Sequence, residues 1–504
     1  MNNNTLSSNL ERIKDAVDDI RGIVDCQEGT IEEVATAVGN SIQHPAVEKD
    51  VNFYDYDGTC LYSYTRSEAM NLEELPPNPI HKGLTAQGWN WTLQKIKDHL
   101  DNCYGGLDVG QNYITDDGST RFYIEVQESN KDIYFKFALN GTATINWGDG
   151  SEPESVTGTS TSTMKSNIHH IYSNKGNYTL SLGNIEGSVK FINEGNYGFC
   201  VVSYQNSITS PTRGTNKALL RKVELGNNII LAEHCFTDSA IETITIPKSL
   251  SIPSFSFYYC TYLECLVVPN NNQTMLPRGV AYGCTNLKKL CFSEKTSVIQ
   301  YDSYGSISHI SIPQGVSTYY LNLIISSYEA LNVPTKMFPD IIYFPKSVNN
   351  FLLEQTGSYT MYLQVKGLDF RKHTTIPTIS STYGTLYKNN CLFVRVPENL
   401  YENWVTASKW NSIASIIIPY NGDTEVPHSK ITLAVDSNLS GTTINVAKII
   451  YKLNTSGYTL PSFSDITTTE LEENLEWFDG TNTYGFGDTI ILNGNITLTL
   501  RSKE

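Results

Sequence analysis

The sequence predicts a mainly β, multidomain chain built around a solenoid. Three observations predict it. Short apolar strand patterns recur about every twenty residues through the middle of the 504-residue chain, most of them closed by proline. Hydrophobic residues make up 40% of the chain and charged residues only 17%, so cores are available without a heavily charged surface. Elsewhere, runs of alternating apolar residues broken by Asp-Gly turns read as hairpins.

The template of the repeat is Ile241, Ile244, Ile246 and Pro247. Leu263, Leu266, Val268 and Pro269 repeat it, followed by Leu287, Leu290 and Phe292. Ile307, Ile310, Ile312 and Pro313 come next, then Tyr328, Leu331, Val333 and Pro334. An earlier copy reads Leu220, Val223, Leu225. Between equivalent ends (Gly226, Pro247, Pro269, Ser293, Pro313, Pro334) the steps are 21, 22, 24, 20 and 21 residues. Each proline ends its strand because it has no N–H for the ladder. Beyond Pro334 the pattern loosens, although residues 341–345, 363–370 and 392–397 keep the strand-then-proline habit. Solenoids present long surfaces to partners and need a cap over the last apolar layer. Residues 400–419 read as that closing helix and strand.

The net charge of −16 argues against nucleic acid and anionic membranes as main partners, since both need clustered Lys and Arg. No stretch approaches the ~18 apolar residues of a membrane span. The N-terminus shows no apolar signal-peptide core and the C-terminus no anchor, which leads to the expectation of a protein folded in the cytoplasm. Ten cysteines without a CxxC pair fit that compartment as buried free thiols.

Taken in order, residues 1–44 are expected to be a helical, coiled-coil-like segment for oligomerisation or attachment. Leu6, Leu10, Ile13, Val17, Ile20 and Val24 alternate steps of four and three, a heptad seam. An ordinary amphipathic helix folded on its own domain is the alternative. Residues 45–128 read as a small α+β module: a hairpin over 51–64 around Asp57-Gly58, a helix over 88–102 with Trp91, Ile96 and Leu100 near one face, and a hairpin over 107–126 around Asp117-Gly118. Residues 129–185 read as a β-sandwich with Trp147 in its core and Asp149-Gly150 at a tight turn. The solenoid and its cap take 186–420, and a β-rich module takes 421–504.

One motif invites a chemical reading. Asp55-Tyr56-Asp57-Gly58-Thr59 matches the nucleophile loop of the haloacid-dehalogenase phosphatases, in which the first Asp attacks phosphorus and the second is acid/base. Asp116-Asp117 would imitate the second acidic pair. The surrounding module lacks the βαβ alternation that such a sheet needs, so a hairpin turn explains the run better. His169-His170 are adjacent on a strand and point to opposite faces, a poor metal pair. No GxSxG, HExxH or phosphate-loop pattern has a supporting context. No enzyme activity, cofactor, metal or catalytic residue is expected.

Tyrosines in the repeats (Tyr258, Tyr259, Tyr262, Tyr282, Tyr301, Tyr304, Tyr319 and Tyr320) suggest an aromatic recognition face. Tyr258 and Tyr282 lie five residues before the repeat leucine, as Phe236 does, and are expected in the core.

On AYGCTNLKKL, IETITIP and NWVTASKWNSIASIIIP, the repeat region resembles the BspA-like leucine-rich repeats of bacterial surface antigens. The resemblance implies binding to proteins or surfaces. NWGDGS with HIYSNKGNYTLSL resembles a PKD domain, a small sandwich of adhesins and surface layers. TYGFGDTIILNGNITLTL is similar to the β-repeats of internalin-type proteins. Residues 51–100 with 108–126 resemble a module at the front of tail and other structural proteins of gut bacteriophages.

These resemblances together imply a bacteriophage virion appendage (tail, baseplate or head fibre) at the virion surface. It would attach to other virion proteins through its N-terminus, oligomerise (a trimer being favoured), and adhere to a host surface protein or glycan through the repeats and C-terminal module. The alternative is a bacterial surface adhesin with leucine-rich repeats. The remote alternative is a phosphatase-like enzyme using Asp55 and Asp57.

Overall fold

A computed structural model describes residues 46–165, 168–191, 200–204, 219–299, 309–316, 318–320, 340–352, 361–363, 365–380, 386–388 and 390–503. The expected seam from Leu6 to Val24 lies outside these residues. The chain is mainly β and divides into two compact units. Among the described residues the first comprises 46–100 and those within Gly106–Thr296; the second comprises Asp101–Gly105, 297–299 and those from 309 onward.

The first unit opens with β1 (Val51–Tyr54) and β2 (Cys60–Tyr64), the expected hairpin. Asp57 shapes its turn by accepting the Thr59 N–H at 2.8 Å. The short helix α1 (Arg66–Met70) starts at a Thr65–Glu68 capping box. Strand β3 (Leu84–Trp89), helix α2 (Leu93–Asn102) and β4 (Leu107–Thr115) follow, giving a sheet of order β2-β1-β4-β3. Strands β1 and β4 are parallel because α2 carries the chain back between them. Trp91, Ile96 and Leu100 pack with Val51, Phe53 and Val109 in the core of this module.

The hairpin expected over 107–126 does not form. Strand β5 (Thr120–Val126) pairs antiparallel with β10 (Gly176–Phe191) and with β12 (Leu220–Glu224) instead of with β4. Its strict alternation of buried residues reflects that central place. Strands β6 (Asp132–Phe135), β7 (Ala138–Asn146), β8 (Glu154–Met164), β9 (His169–Ile171) and β11 (Val202–Ser203) complete two layers. One sheet has the order β14-β12-β5-β10-β7-β8; the other is β11-β6-β9. Here β14 is Thr243–Thr245, and β13 (Ile229–Leu231) also pairs with β10. The boundaries expected at 128 and 185 are therefore not breaks in the sheet. Trp147 is buried as expected, its carbonyl accepting the Tyr172 hydroxyl at 2.7 Å. His170 stacks on Trp147 and bonds Asp149, whereas His169 bonds Asp132, so the two histidines diverge.

The repeats of this unit coil through β12, β14, β15 (Cys265–Val267), β16 (Met275–Leu276) and β17 (Lys289–Cys291). Equivalent strands run parallel, with Lys222 beside Thr243 and Cys265 beside Lys289. Leu263, Leu266, Leu287 and Leu290 fill the coil interior.

In the second unit a parallel ladder joins His309–Ser311, Ile341–Tyr343, Gly367–Asp369, Phe393–Pro397 and Ile417–Asn421. Its first rungs step from 309 to 341, 341 to 367 and 367 to 393, coils longer than those of the first unit, which is why the pattern looks degraded in sequence. The copy expected at Tyr328–Pro334 lies outside the described residues; the ladder itself steps directly from Ile310 to Ile342. Helix α3 (Tyr401–Thr406) and the turn Trp410–Ile416 set Trp404 and Trp410 against Phe370, which stacks on Phe344 at 4.8 Å. The C-terminal module is a sheet ordered 449–453, 428–435, 496–502, 475–478 and 483–484, with Leu433, Trp477 and Leu498 in its core.

Candidate recognition faces of the repeats

The residues of the phosphatase-like motif are held in structural bonds. Asp55 is buried; one carboxylate oxygen accepts the Tyr113 hydroxyl at 2.8 Å and the Tyr56 N–H, and the other meets His81 Nε2 at 2.7 Å. Asp57 serves its own turn. Asp116 and Asp117 pair with Arg121, whose guanidinium also reaches Glu224. Among the described residues, no group of three or more His, Cys, Asp or Glu is placed to hold a metal ion.

The strand side of the first unit's repeats is closed by the chain's own α+β module. Asn90 is fully buried, and its side-chain amide donates to the carbonyls of Val268, Cys291 and Phe292 at 3.0–3.1 Å. Trp91 Nε1 donates to Phe292 O. Asn112 reaches Ile246 O, and Gln87 Oε1 accepts the Lys248 N–H at 2.7 Å. These polar side chains satisfy backbone groups where each repeat strand ends, a cost that burial would otherwise impose. Gly110 lies so close to Val267 and Cys291 that a Cβ there would overlap them. The strands therefore do not form an open platform in this unit.

The turn side of the same coils is built differently. His234 and Asp238, Phe255 and Tyr259, then Gly279 and Gly283 all have φ between +56° and +81°. Each pair marks one coil, four residues apart. His234 stacks on Phe255 at 4.8 Å, Phe236 on Phe257 at 5.6 Å, and Tyr258 on Tyr282 at 5.3 Å. Phe236 and Phe257 are core, whereas Tyr258 and Tyr282 are half-buried. That corrects the expectation for the two tyrosines. Their slot is that of Thr237, because the second coil has one more residue than the first between its core aromatic and its first repeat aliphatic (Phe236 to Ile241, Phe257 to Leu263). Tyr262 is 43% exposed, with Arg221 5.7 Å over its ring. Tyr301 and Tyr304 lie outside the described residues, and of Tyr319 and Tyr320 only the backbone is described.

The cysteines form a related ladder that spacing alone could suggest. Cys260 Sγ donates to Phe236 O at 3.0 Å, and Cys284 Sγ to Phe257 O at 3.0 Å. Ser239 occupies the same slot one coil earlier and meets Cys260. All nine described cysteines are free and buried. Burial pushes the Cys260 thiol up to about 12. A cleft of about 500 Å³ opens near Ile230, Glu233, Ser251, Pro253 and Gln273.

Comparison with known proteins supplies a family for these coils. A family model described as BspA type leucine rich repeat region matches residues 213–311 in six copies. No curated protein matches. Among solved structures, a leucine-rich repeat protein from Bacteroides ovatus is similar at 13% identity, over 37% of this chain and 68% of that one, with a TM-score of 0.18. A score that low carries no structural argument. Residues 213–311 are thus similar to BspA-type leucine-rich repeats.

Proposed function

We propose that this chain is a surface adhesion protein that docks through the turn side of its leucine-rich repeats. One observation carries the reading: the strand side of the first unit's coils is filled by Asn90, Trp91 and Gly110, while the turn side keeps a row of half-exposed aromatic rings. Tyrosine offers contact area at low entropic cost, which suits such a face. The family match favours the bacterial surface adhesin over the virion appendage.

The virion reading keeps one support of its own, the wording of residues 51–126, which resembles the front module of phage structural proteins. Under it, residues 129–185 would be a PKD-like spacer and the segment from Leu6 to Val24 a trimer seam. The phosphatase alternative has the weakest support, because the Asp55 carboxylate is already engaged by Tyr113 and His81.

The test is binding of the purified full chain to bacterial cells and, separately, to immobilised animal-surface proteins. The adhesin reading expects saturable binding to the second, the virion reading to the first. Tyr282→Ala, which removes the ring stacked on Tyr258, should weaken either about tenfold. Binding to neither, or binding indifferent to the turn-side aromatics, removes the proposal.

A further inference from the structure

The strand face of the second unit holds a short piece of the same chain. At one register position the ladder presents Ser311, Tyr343, Asp369 and Arg395 in a row. Asp369 is buried and takes the Arg371 guanidinium through Nε at 2.9 Å and Nη2 at 2.8 Å. Two bonds to one carboxylate fix the plane of the arginine. That plane is then offered to aromatic rings: Tyr104 lies 3.3 Å from the guanidinium carbon and Tyr420 5.1 Å.

Residues 102–105 exploit each feature. The Asn102 carbonyl accepts the Lys346 N–H at 2.9 Å. The Tyr104 ring covers Arg371 and its hydroxyl donates to Asp423, a carboxylate that is 87% exposed. At position 105 only glycine fits, since a Cβ would overlap Ser311 Oγ and lie 2.6 Å from Tyr343 Cγ. The face thus selects a backbone carbonyl, an aromatic phenol two residues later, and no side chain after that.

We propose that this face is a recognition site for an extended peptide segment bearing tyrosine followed by glycine, and that residues 102–105 fill it as an internal ligand. The proposal rests on the adhesive reading only for its biological use; the binding itself stands on the geometry. A tethered ligand acts at an effective concentration on the order of millimolar, so an outside segment competes only when abundant or presented in many copies.

The test uses a fluorescein-labelled Asn-Ser-Tyr-Gly-Gly peptide and anisotropy against the full chain. Tyr104→Ala should bind it at least tenfold more tightly than the unaltered chain. A peptide with alanine for tyrosine should not bind, and Asp423→Ala added to Tyr104→Ala should weaken binding several-fold. Equal binding by the two chains, or binding without the peptide tyrosine, overturns the proposal. Should Tyr104→Ala fail to fold, the unaltered chain is nitrated with tetranitromethane and mapped by mass spectrometry. Excess peptide should at least double nitration at Tyr104, and no change overturns the idea. Surface binding that survives a failed peptide test leaves the adhesive reading intact; peptide binding without surface binding removes that reading alone.

Discussion

Asn90 and Cys291 are joined by a side-chain amide donating to a backbone carbonyl at 3.0 Å, deep in the first unit. The same amide serves Val268 O and Phe292 O, and its oxygen accepts the Gly110 N–H at 2.9 Å. One side chain therefore ties two repeat strands to the α+β module. Removing it takes this partner from the Val268 carbonyl and the Gly110 N–H, each worth ~1–3 kcal/mol, while Phe292 O keeps Trp91 Nε1 and Cys291 O keeps the Val268 N–H. Asn90→Ala should destabilise this unit by roughly 3 kcal/mol, allowing for partial relaxation. Denaturant unfolding followed by tryptophan fluorescence measures it. A loss below roughly 0.5 kcal/mol would show that the docking does not depend on this amide.

Gly279 and Gly283 carry a second prediction. Their φ values are +66° and +81°, and each sits under an aromatic ring of the preceding coil. A Cβ at 279 would overlap the Phe255 ring, and one at 283 would lie 2.8 Å from the Tyr259 ring. Alanine at either place meets both the left-handed backbone penalty of ~1–2 kcal/mol and a steric clash. Gly279→Ala should cost ~2 kcal/mol or more, whereas an alanine at the turn glycine Gly480, open on all sides, should cost only the backbone part. Equal effects at the two positions would sink this account of the coil spacing.

The coil strands were legible because Ile244, Leu266 and Leu290 recur at the repeat spacing and most strands end at proline. Cap residues Trp404 and Trp410 were legible for a similar reason, lying in a short apolar run between the last two strands of the ladder. The closure of the strand side was not. It rests on Gln87, Asn90 and Asn112, polar residues without periodicity, whose partners are a backbone N–H for Gln87 and backbone carbonyls for the two asparagines, groups that no sequence pattern marks. Strand β5 misled for a different reason: a Asp-Gly turn specifies a tight reversal and not which neighbour the next strand takes. Tyr258 lies one residue away from the core slot of Phe236 and Phe257, enough to leave its ring half-buried.

The thiol ladder makes a chemical prediction. Cys200, Cys260 and Cys391 are raised to about 12 by burial, and Cys60 to about 11, so none is a thiolate near neutrality. None of the nine described cysteines should react with a thiol reagent at pH 8 until the fold opens. Since Ser239 already holds the slot of Cys260, Cys260→Ser should cost less than ~1 kcal/mol. Cys260→Val, which cannot donate to the Phe236 carbonyl, should cost ~1–2 kcal/mol. A valine variant as stable as the serine variant would mean that the thiol acts only as an apolar filler.

Acid should destabilise both units through histidines held neutral. His99 is pushed down to about 4 by burial, with the Gly106 carbonyl opposing and Arg66 adding to the fall. His373 is likewise pushed down to about 4 by burial, its Nε2 3.0 Å from Val348 O. An unfolded histidine titrates near ~6.5, so between that value and about 4 the unfolded chain binds more protons than the folded one. Stability is thus retained above ~6.5 and falls with pH below it. His81 opposes this trend: burial lowers its pKa, but the Asp55 hydrogen bond and charge outweigh that and raise it. Its contribution is complete below ~6.5 and is lost as pH rises through its folded value. Burial also lowers the pKa of His234, and the two buried histidines outnumber His81, so the net slope should favour neutral pH. Each corresponds to roughly 3 kcal/mol at full protonation, of which about two-thirds should be lost by pH ~5. Melting temperatures should fall steeply from pH 7 to pH 5, and the His99→Gln, His373→Gln double variant should show a flatter profile. A double variant with the original slope would place the acid sensitivity elsewhere.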